Sequence, residues 1–281
     1  MTDHANLLAE IDLLGEKLAQ AKASITRQFI GQEDSVELAL ATLLCGGHAL
    51  LVGLPGLGKT KLVETLAVVM GLDGKRVQFT PDLMPADILG SEVLDHDSDG
   101  RRSFRFLPGP IFTQLLMADE INRASPRTQS ALLQAMQERE VTIAGQHRPL
   151  GSPFHVLATQ NPIEQEGTYP LPEAQLDRFF YKLVIPSPDN NLLADIVSHT
   201  TGVQREVSET AQQVEGLSFE ELQYLQSLPL LVETPESALN FAVALCQTLN
   251  PVSGRPSPLT AANEYVMYGP SPRGAQALIL A

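Results

Sequence analysis

Residues 53–60 read Gly53-Leu54-Pro55-Gly56-Leu57-Gly58-Lys59-Thr60, and this stretch decides the fold. A glycine, four residues and then Gly-Lys-Thr is the spacing of a phosphate-binding P-loop. Residues 48–52 before it predict a short buried strand, and residues 61–70 after it predict an amphipathic helix. Strand, loop and helix in this order are the context that the motif requires. The alternative is a glycine-rich turn that ends in Lys-Thr by chance.

The residue types of this loop suit an anion. Glycines let successive backbone N–H groups turn towards a phosphate, and the following helix adds the positive end of its dipole. Lys59 is expected to reach the β- and γ-phosphates, and the Thr60 hydroxyl suits one coordination position of Mg²⁺. The residues expected around the nucleotide ATP are Gly53, Pro55, Gly56, Leu57, Gly58, Lys59, Thr60 and Lys61.

Composition places the chain among globular proteins. Its 281 residues are 43% apolar and 19% charged, enough for one large domain or two smaller ones. A net charge of −14 argues against a general affinity for nucleic acid, but it does not exclude a local basic groove. Cys45 and Cys246 predict buried free thiols rather than a disulfide or a metal site. No secretory signal or membrane-spanning run is found, so we expect a cytoplasmic protein without membrane insertion.

Alternating strands and helices predict an α/β fold with a central parallel sheet flanked by helices. The expected strands are 48–52, 76–79, 115–118, 155–159 and 181–185. Helices are expected over 6–28, from a cap at Asp34 or Ser35 to Leu44, and over 126–138. After Pro186 the pattern is helical, near 189–200, 218–227, 235–249, 259–268 and 272–280. We therefore predict a nucleotide-binding core over 1–186 and an all-helical domain over 187–281.

Two inserts interrupt the core, at about 80–110 and 139–151. In the first, residues 91–94 and 103–107 are expected to pair across a polar turn. In the second, residues 141–143 and 147–150 predict another hairpin. An insert as long as the first is more often functional than idle.

A pair of acids, Asp119-Glu120, follows the apolar run 115–118. Such a run typically delivers carboxylates to the C-terminal edge of a parallel sheet. Asp119 is expected to support Mg²⁺ through water, and Glu120 to polarise the water that attacks the γ-phosphate. Adjacent acids are common on protein surfaces, so their position after a buried strand is what favours this interpretation.

Three further polar residues fit the same chemistry, each with a plain alternative. Asn161 follows a buried strand and is expected to orient the attacking water, or else only to form an Asx-turn. Arg178 is expected to stabilise transition-state charge at a neighbouring subunit's nucleotide, or else to pair with Asp177 on the surface. Arg273, if the helical domain covers the P-loop, is expected to reach the γ-phosphate of its own chain; the alternative is a solvated arginine at a helix start.

Taken together, these residues resemble the AAA+ ATPases and, within them, the MoxR family, over essentially the whole chain. The stretches that carry the resemblance are 29–32, 78–90, 119–124, 158–162 and 171–179. The resemblance implies that Lys59 and Thr60 belong to the Walker A motif and that Asp119 and Glu120 belong to the Walker B motif. It also implies that Asn161 is sensor 1, that Arg178 is an arginine finger acting in trans, and that Arg273 is sensor 2. Gly31 and Gln32 would lie on the adenine side of the nucleotide.

The resemblance also implies a working assembly. Proteins similar to this one form rings, typically hexamers, that use Mg-ATP to remodel or activate a client protein, in some cases for metal or cofactor insertion. Their partner carries a von Willebrand factor A domain. The two hairpins would project towards the pore of the ring. Similar chains continue further beyond the residue matching Arg273, so we expect a helical lid shortened at its C-terminus.

Two other functions stay open on the sequence. A nucleic-acid motor, helicase-like or clamp-loader-like, would use the same ATPase core, against which the acidic balance argues. A binding protein gated by ATP would not need Glu120 or Asn161. The client and its pathway are not given by the sequence, and the hairpins suit client contact and ring assembly about equally.

Overall fold

A computed structural model describes residues 2–96, 102–164, 166–201, 216–251, 256–267 and 269–281. The strands are β1 (Ala49–Val52), β2 (Gly74–Gln78), β3 (Gly90–His96), β4 (Arg102–Pro108), β5 (Leu115–Asp119), β6 (Glu140–Ile143), β7 (Gln146–Pro149), β8 (His155–Gln160) and β9 (Tyr181–Val184). The helices are α1 (Thr2–Gln28), α2 (Glu33–Leu44), α3 (Lys59–Val69), α4 (Pro85–Leu89), α5 (Pro126–Glu138), α6 (Glu173–Leu176), α7 (Asn190–Thr201), α8 (Phe219–Ser227), α9 (Glu236–Thr248), α10 (Thr260–Tyr265) and α11 (Pro272–Leu280), with 3-10 turns at Ile121–Arg123 and Leu228–Leu231.

The central sheet has five strands in the order β2-β5-β8-β1-β9, all parallel. Each predicted core strand is confirmed to within two residues. Because the strands are parallel, the C-terminal ends of β1, β5 and β8 lie at one edge of the sheet. Ligands of open α/β sheets bind at that edge, so the fold brings the segments after these three strands together.

Both faces of the sheet are covered, which confirms the predicted α/β fold. Successive side chains of a strand point to opposite faces, so Leu51 packs in one apolar cluster with α1, α2 and α3. Leu50 packs in the other cluster, with α5. The continuous apolar run of β1 is therefore explained by burial on both sides.

Helix α8 packs on the core, although the sequence places it in the predicted helical domain. Leu222 and Leu225 of α8 are buried in the same cluster as Leu14 and Val36 of the first two helices. An ion pair also joins Lys17 of α1 to Glu221 of α8. Helical periodicity predicts a buried face but not the partner that covers it, so this packing could not be predicted. The domain division at Pro186 stays a prediction.

The predicted N-cap of α2, Asp34 or Ser35, is wrong by two or three residues. Its N-cap is Gln32, which makes no side-chain cap hydrogen bond, and Asp34 and Ser35 lie within the first turn. In α5, by contrast, the Ser125 hydroxyl accepts a hydrogen bond from the Thr128 N–H and Pro126 is the first helical residue. The prediction of a helix over 126–138 is confirmed.

The later helices match their predictions, except that α10 ends at Tyr265, and residue 268 lies outside the described part. Both cysteines are free thiols; Cys246 is buried as predicted, whereas Cys45 is half-buried. No described helix is long and apolar enough to cross a membrane.

Both predicted hairpins are confirmed as antiparallel pairs, β3 with β4 and β6 with β7. The predicted turn of the first hairpin lies partly at 97–101, outside the described residues. The two hairpins contact each other, because the Arg148 guanidinium lies 3.8 Å from the centre of the Phe106 ring. The same guanidinium lies 3.5 Å from a carboxylate oxygen of Glu92. Phe106 also meets Phe112 edge to face.

Candidate functional site

The P-loop leaves the C-terminal end of β1 and turns directly into α3. Gly56 and Gly58 have φ values of 83° and 75°, which side chains with a Cβ rarely adopt. A Cβ on Gly58 would also lie 3.0 Å from the Phe29 ring, so the loop is packed closely. The loop borders a cleft of about 380 Å³, lined by Pro55, Gly56, Leu57, Gly58, Lys59, Thr60, Lys61, Asp119, Glu120, Thr159 and Asn161.

The Lys59 ammonium group lies against the backbone of this loop. Its Nζ donates hydrogen bonds to the carbonyl oxygens of Gly53, at 2.6 Å, and Leu54, at 2.7 Å. Burial lowers the pKa of the Lys59 ammonium, and the carboxylates of Asp119 and Glu120 oppose that shift. The ammonium group is thus held on carbonyl oxygens of the loop, and Lys59 lines the same cleft as both acids.

Asp119 is buried at the end of β5, and both its carboxylate oxygens are engaged. Oδ1 accepts a hydrogen bond of 2.5 Å from the Thr159 hydroxyl of β8. Oδ2 pairs with Nη2 of Arg76 on β2, at 2.6 Å. The strands on either side of β5 therefore each hold one oxygen of this carboxylate.

Glu120 turns the chain sharply after β5, with φ 55° and ψ 49°. This left-handed conformation is uncommon for residues other than glycine, and such residues cluster at functional sites. The Glu120 N–H donates to the Thr159 hydroxyl at 2.9 Å. Its Oε2 accepts hydrogen bonds from Gln78 Nε2, at 2.8 Å, and Arg123 Nη1, at 2.9 Å.

Asn161 is buried beside the two acids. Its Oδ1 accepts a hydrogen bond of 3.3 Å from the Ile163 N–H, the local turn given as its plain alternative. Its Nδ2 is also buried and has no partner among the described residues. An unpaired buried donor costs roughly 1–3 kcal/mol, so the free amide hydrogens favour a ligand in the cleft. The turn and the predicted role are thus compatible.

Arg178 and Arg273 line a second cleft, of about 360 Å³, together with Gly47 and Asp177. The start of α11 is fixed there because the Ser271 hydroxyl donates a 2.7 Å hydrogen bond to Asp177. Arg273 lies 3.8 Å from the same carboxylate.

The prediction that Arg273 reaches the γ-phosphate of its own chain does not fit this placement. The second cleft includes Gly47, before β1, whereas the P-loop follows β1. Gly53 follows Gly47 by six residue steps along and around β1, which at the rise of a strand corresponds to roughly 20 Å. Contacts of α11 with Asp177 hold it at the N-terminal edge of the sheet, and the sequence could not reveal that choice of partner.

Gly31 and Gln32 lie in a third cleft of about 460 Å³, between α2 and the edge strand β9. Gly31 has φ 73°, and Leu192 of α7 leaves no room for a Cβ there. Phe29, two residues earlier, packs against Gly58 of the P-loop. The predicted adenine-side segment is therefore adjacent to the predicted phosphate-binding loop.

Four residues hold the acids, yet sequence reasoning gave them no role. They are Arg76, Gln78, Arg123 and Thr159. For two of them, position in the sequence was a usable signal. Gln78 and Thr159 lie at or near the C-terminal ends of β2 and β8, which is the edge of the sheet where Asp119 lies.

A P-loop after β1, two acids at the end of β5 and an amide after β8 are the parts of an AAA+ nucleotide site. A family model described as "ATPase family associated with various cellular activities (AAA)" matches residues 48–181. Protein MoxR of Methylorubrum extorquens is 30% identical over 280 residues, covering 94% of this chain and 78% of the relative. The chain belongs to the MoxR family of AAA+ ATPases.

Two further relatives and one solved structure are also similar to this chain. Chaperone MoxR1 of Mycobacterium tuberculosis is 50% identical over 185 residues, which are 65% of this chain and 47% of that protein. Uncharacterized protein YeaC of Bacillus subtilis is 42% identical over 265 residues, 94% of this chain and 77% of the relative. A crystal structure of a candidate ATPase from Cytophaga hutchinsonii superimposes with a TM-score of 0.83 at 35% identity, covering all of this chain and 82% of that one.

Proposed function

We propose that this protein hydrolyses ATP with Mg²⁺ and uses the energy to remodel a client protein. The observation that carries the proposal is the convergence of Lys59, Thr60, Asp119, Glu120 and Asn161 on one cleft. A glycine-rich loop at a helix start, a lysine, two carboxylates and an amide donor are the groups that phosphoryl transfer to water requires.

The residues present fit Mg²⁺ and a nucleotide. Mg²⁺ prefers oxygen ligands and keeps several waters, and the Thr60 hydroxyl and Asp119 carboxylate both line the cleft. Asp119 would act through water, since Thr159 and Arg76 occupy its two oxygens. When bound, Mg²⁺ would offset the negative charge of the phosphates.

The chain's own residues would divide the remaining work. Lys59 would exchange the carbonyl oxygens of Gly53 and Leu54 for phosphate oxygens. The Glu120 carboxylate would orient and polarise the attacking water. The unpaired Nδ2 of Asn161 would donate a hydrogen bond to that water or to a γ-phosphate oxygen.

Arg178 and Arg273 would serve another copy of the chain. They lie together at the sheet edge opposite the P-loop, so neither faces its own nucleotide. In a ring, typically hexameric, this edge would face the P-loop of the next subunit. Guanidinium groups supplied in that way stabilise transition-state charge and make turnover depend on assembly.

The role as a chaperone rests on the family and on charge. The Mycobacterium tuberculosis relative is named a chaperone, and a net charge of −14 disfavours nucleic acid as the substrate. By the same resemblance we propose a partner with a von Willebrand factor A domain and, as one form of client activation, metal or cofactor insertion.

The direct test is Glu120→Gln, which keeps the size of the side chain and removes its charge. We expect ATP binding to persist and turnover to fall by about a hundredfold or more. Glu164→Gln is the matched control, because Glu164 also lies near Arg123, at 3.9 Å, but outside the cleft. Turnover of Glu120→Gln equal to that of the control would favour an ATP-gated switch.

The same stalled variant tests the partner. Glu120→Gln should retain a von Willebrand A-type protein from a lysate with ATP and release it without ATP. Nucleic acid or replication proteins in that fraction would instead assign this ATPase core to a nucleic-acid motor.

A further inference from the structure

Gln129 of α5 joins the segment after Glu120 to the segment that leads to Arg178. Its side chain is 1% exposed. The single Nε2 donates two hydrogen bonds, to the carbonyl oxygens of Ile121, at 3.1 Å, and Tyr169, at 2.9 Å. One buried amide group therefore bridges two loops that are about 48 residues apart in sequence.

Further contacts tighten this bridge. The Tyr169 N–H donates to the Asn122 carbonyl at 2.6 Å, so the two loops also bond directly. Ser130, the next residue of α5, accepts a hydrogen bond of 3.3 Å from Gln175 of α6. Helix α5 thus holds the 3-10 turn after the acids at one point and the segment before Arg178 at two.

These hydrogen bonds connect the segment after Glu120 to the segment before Arg178. Ile121 follows Glu120 immediately, whereas Tyr169 precedes Leu171, which is buried in the core and continues into α6 and Arg178. A displacement at the Glu120 corner would therefore reach the arginine through packed and hydrogen-bonded groups, the kind of contact that carries coupling.

We propose that Gln129 is a positioning residue that fixes Arg178 for the neighbouring subunit's nucleotide and couples it to the Glu120 corner of its own subunit. The proposal rests on the proposed function, because it requires Arg178 to act in trans. Gln129 does not line the nucleotide cleft, so its effect should appear in the neighbour's turnover rather than in nucleotide binding by its own subunit.

Mixed assemblies test this role. A Glu120→Gln copy is expected to lack turnover but to present Arg178, and an Arg178→Ala copy to have an intact site but no arginine. Their mixture should therefore hydrolyse ATP at interfaces where the first copy serves the second. No turnover in this parent mixture would overturn the trans arrangement itself, and with it the inference.

The decisive mixture adds Gln129→Met to the Glu120→Gln copy, whose own site is already inactive. We expect turnover of the Arg178→Ala partner to fall roughly tenfold to a hundredfold, as for a catalytic group displaced by about 1 Å. Fluorescent ATP binding by each copy should stay unchanged. Gln134→Met is the matched control, since Gln134 is exposed on the same helix and its side chain donates to Glu138, one turn further along.

Full turnover with the Gln129→Met copy would overturn the proposal, because Gln129 would then matter only to its own subunit. If the melting temperature shows that Gln129→Met does not fold, Gln129→Asn takes its place. Its amide is one methylene shorter and cannot reach both carbonyls, so turnover should fall in the same direction. Unchanged turnover with a folded Gln129→Asn copy would contradict the proposal equally.

Discussion

Arg76 and Asp119 form an ion pair between neighbouring strands, with Nη2 of the arginine 2.6 Å from Oδ2 of the aspartate. Two residues along β2, Gln78 holds Glu120 through a 2.8 Å hydrogen bond. One strand therefore restrains both acids of the nucleotide site. The same strand leads, through α4, into the first hairpin. Strand β2 therefore connects both acids to this insert along the chain.

The ion pair predicts a change in magnesium dependence. Arg76→Met removes a cation beside the carboxylate expected to support Mg²⁺, which should make the local potential more negative. We expect half-maximal binding of a fluorescent ATP analogue at an Mg²⁺ concentration about threefold to tenfold lower, a modest effect because Arg76 is half-exposed. Lys75→Met, on the same strand, is the control. An unchanged Mg²⁺ dependence would show that Arg76 does not compete for Asp119.

The first hairpin offers a separate prediction, because its two aromatic residues differ in environment. Phe106 packs against Phe112 and lies under Arg148, whereas Phe104 is 72% exposed. Phe106→Ser should lower the free energy of unfolding by roughly 1–3 kcal/mol, and Phe104→Ser should leave it nearly unchanged. Denaturant unfolding measures both values.

Client contact can then be tested with Phe104→Ser alone. Loss of client-stimulated turnover in an intact ring would support contact between the hairpin and the client.

An equal loss in the free energy of unfolding for Phe104→Ser and Phe106→Ser would contradict the packing described for Phe106.

Two buried imidazoles predict acid sensitivity. Burial lowers the pKa of His48 to about 3 and that of His155 to about 4. The unfolded chain, with histidine near 6.5, therefore binds more protons than the folded chain below that pH. Stability should be complete above pH 6.5, should fall as the pH falls, and should lose these contributions in full below about pH 3.

The slope of this loss is measurable by urea unfolding between pH 6 and pH 4.5. Each imidazole should contribute up to roughly 1.4 kcal/mol per pH unit. His155→Gln can still donate to Gly47 and accept from Gln226, the two partners of the imidazole, but cannot become charged. The slope should decrease by about that amount in His155→Gln and not in His147→Gln, which lies exposed on β7. Equal slopes in the two variants would refute the assignment.

The parts of the fold and of the site that the sequence predicts correctly are those with a local signal. The P-loop, the apolar run before Asp119 and the turn at Asn161 are each encoded within a few residues, so their strands and their shared edge followed from periodicity and parallel topology. These residues line one cleft, as expected.

What the sequence could not predict depends on packing between distant segments. The hydrogen bonds of Gln129 depend on where α5 crosses two loops, and the position of Arg273 depends on the contact of Ser271 with Asp177. Arginine and glutamine are common on surfaces, and no spacing distinguishes those that hold a site from those that are solvated.

In the proposed assembly, one copy of the chain completes the nucleotide site of another through Arg178. The most direct measurement is the steady-state ATPase rate of Arg178→Ala beside its affinity for fluorescent ATP, with Arg127→Ala of α5 as the control. We expect a rate loss on the order of a thousandfold with ATP affinity unchanged. Full turnover by Arg178→Ala would contradict the proposed assembly.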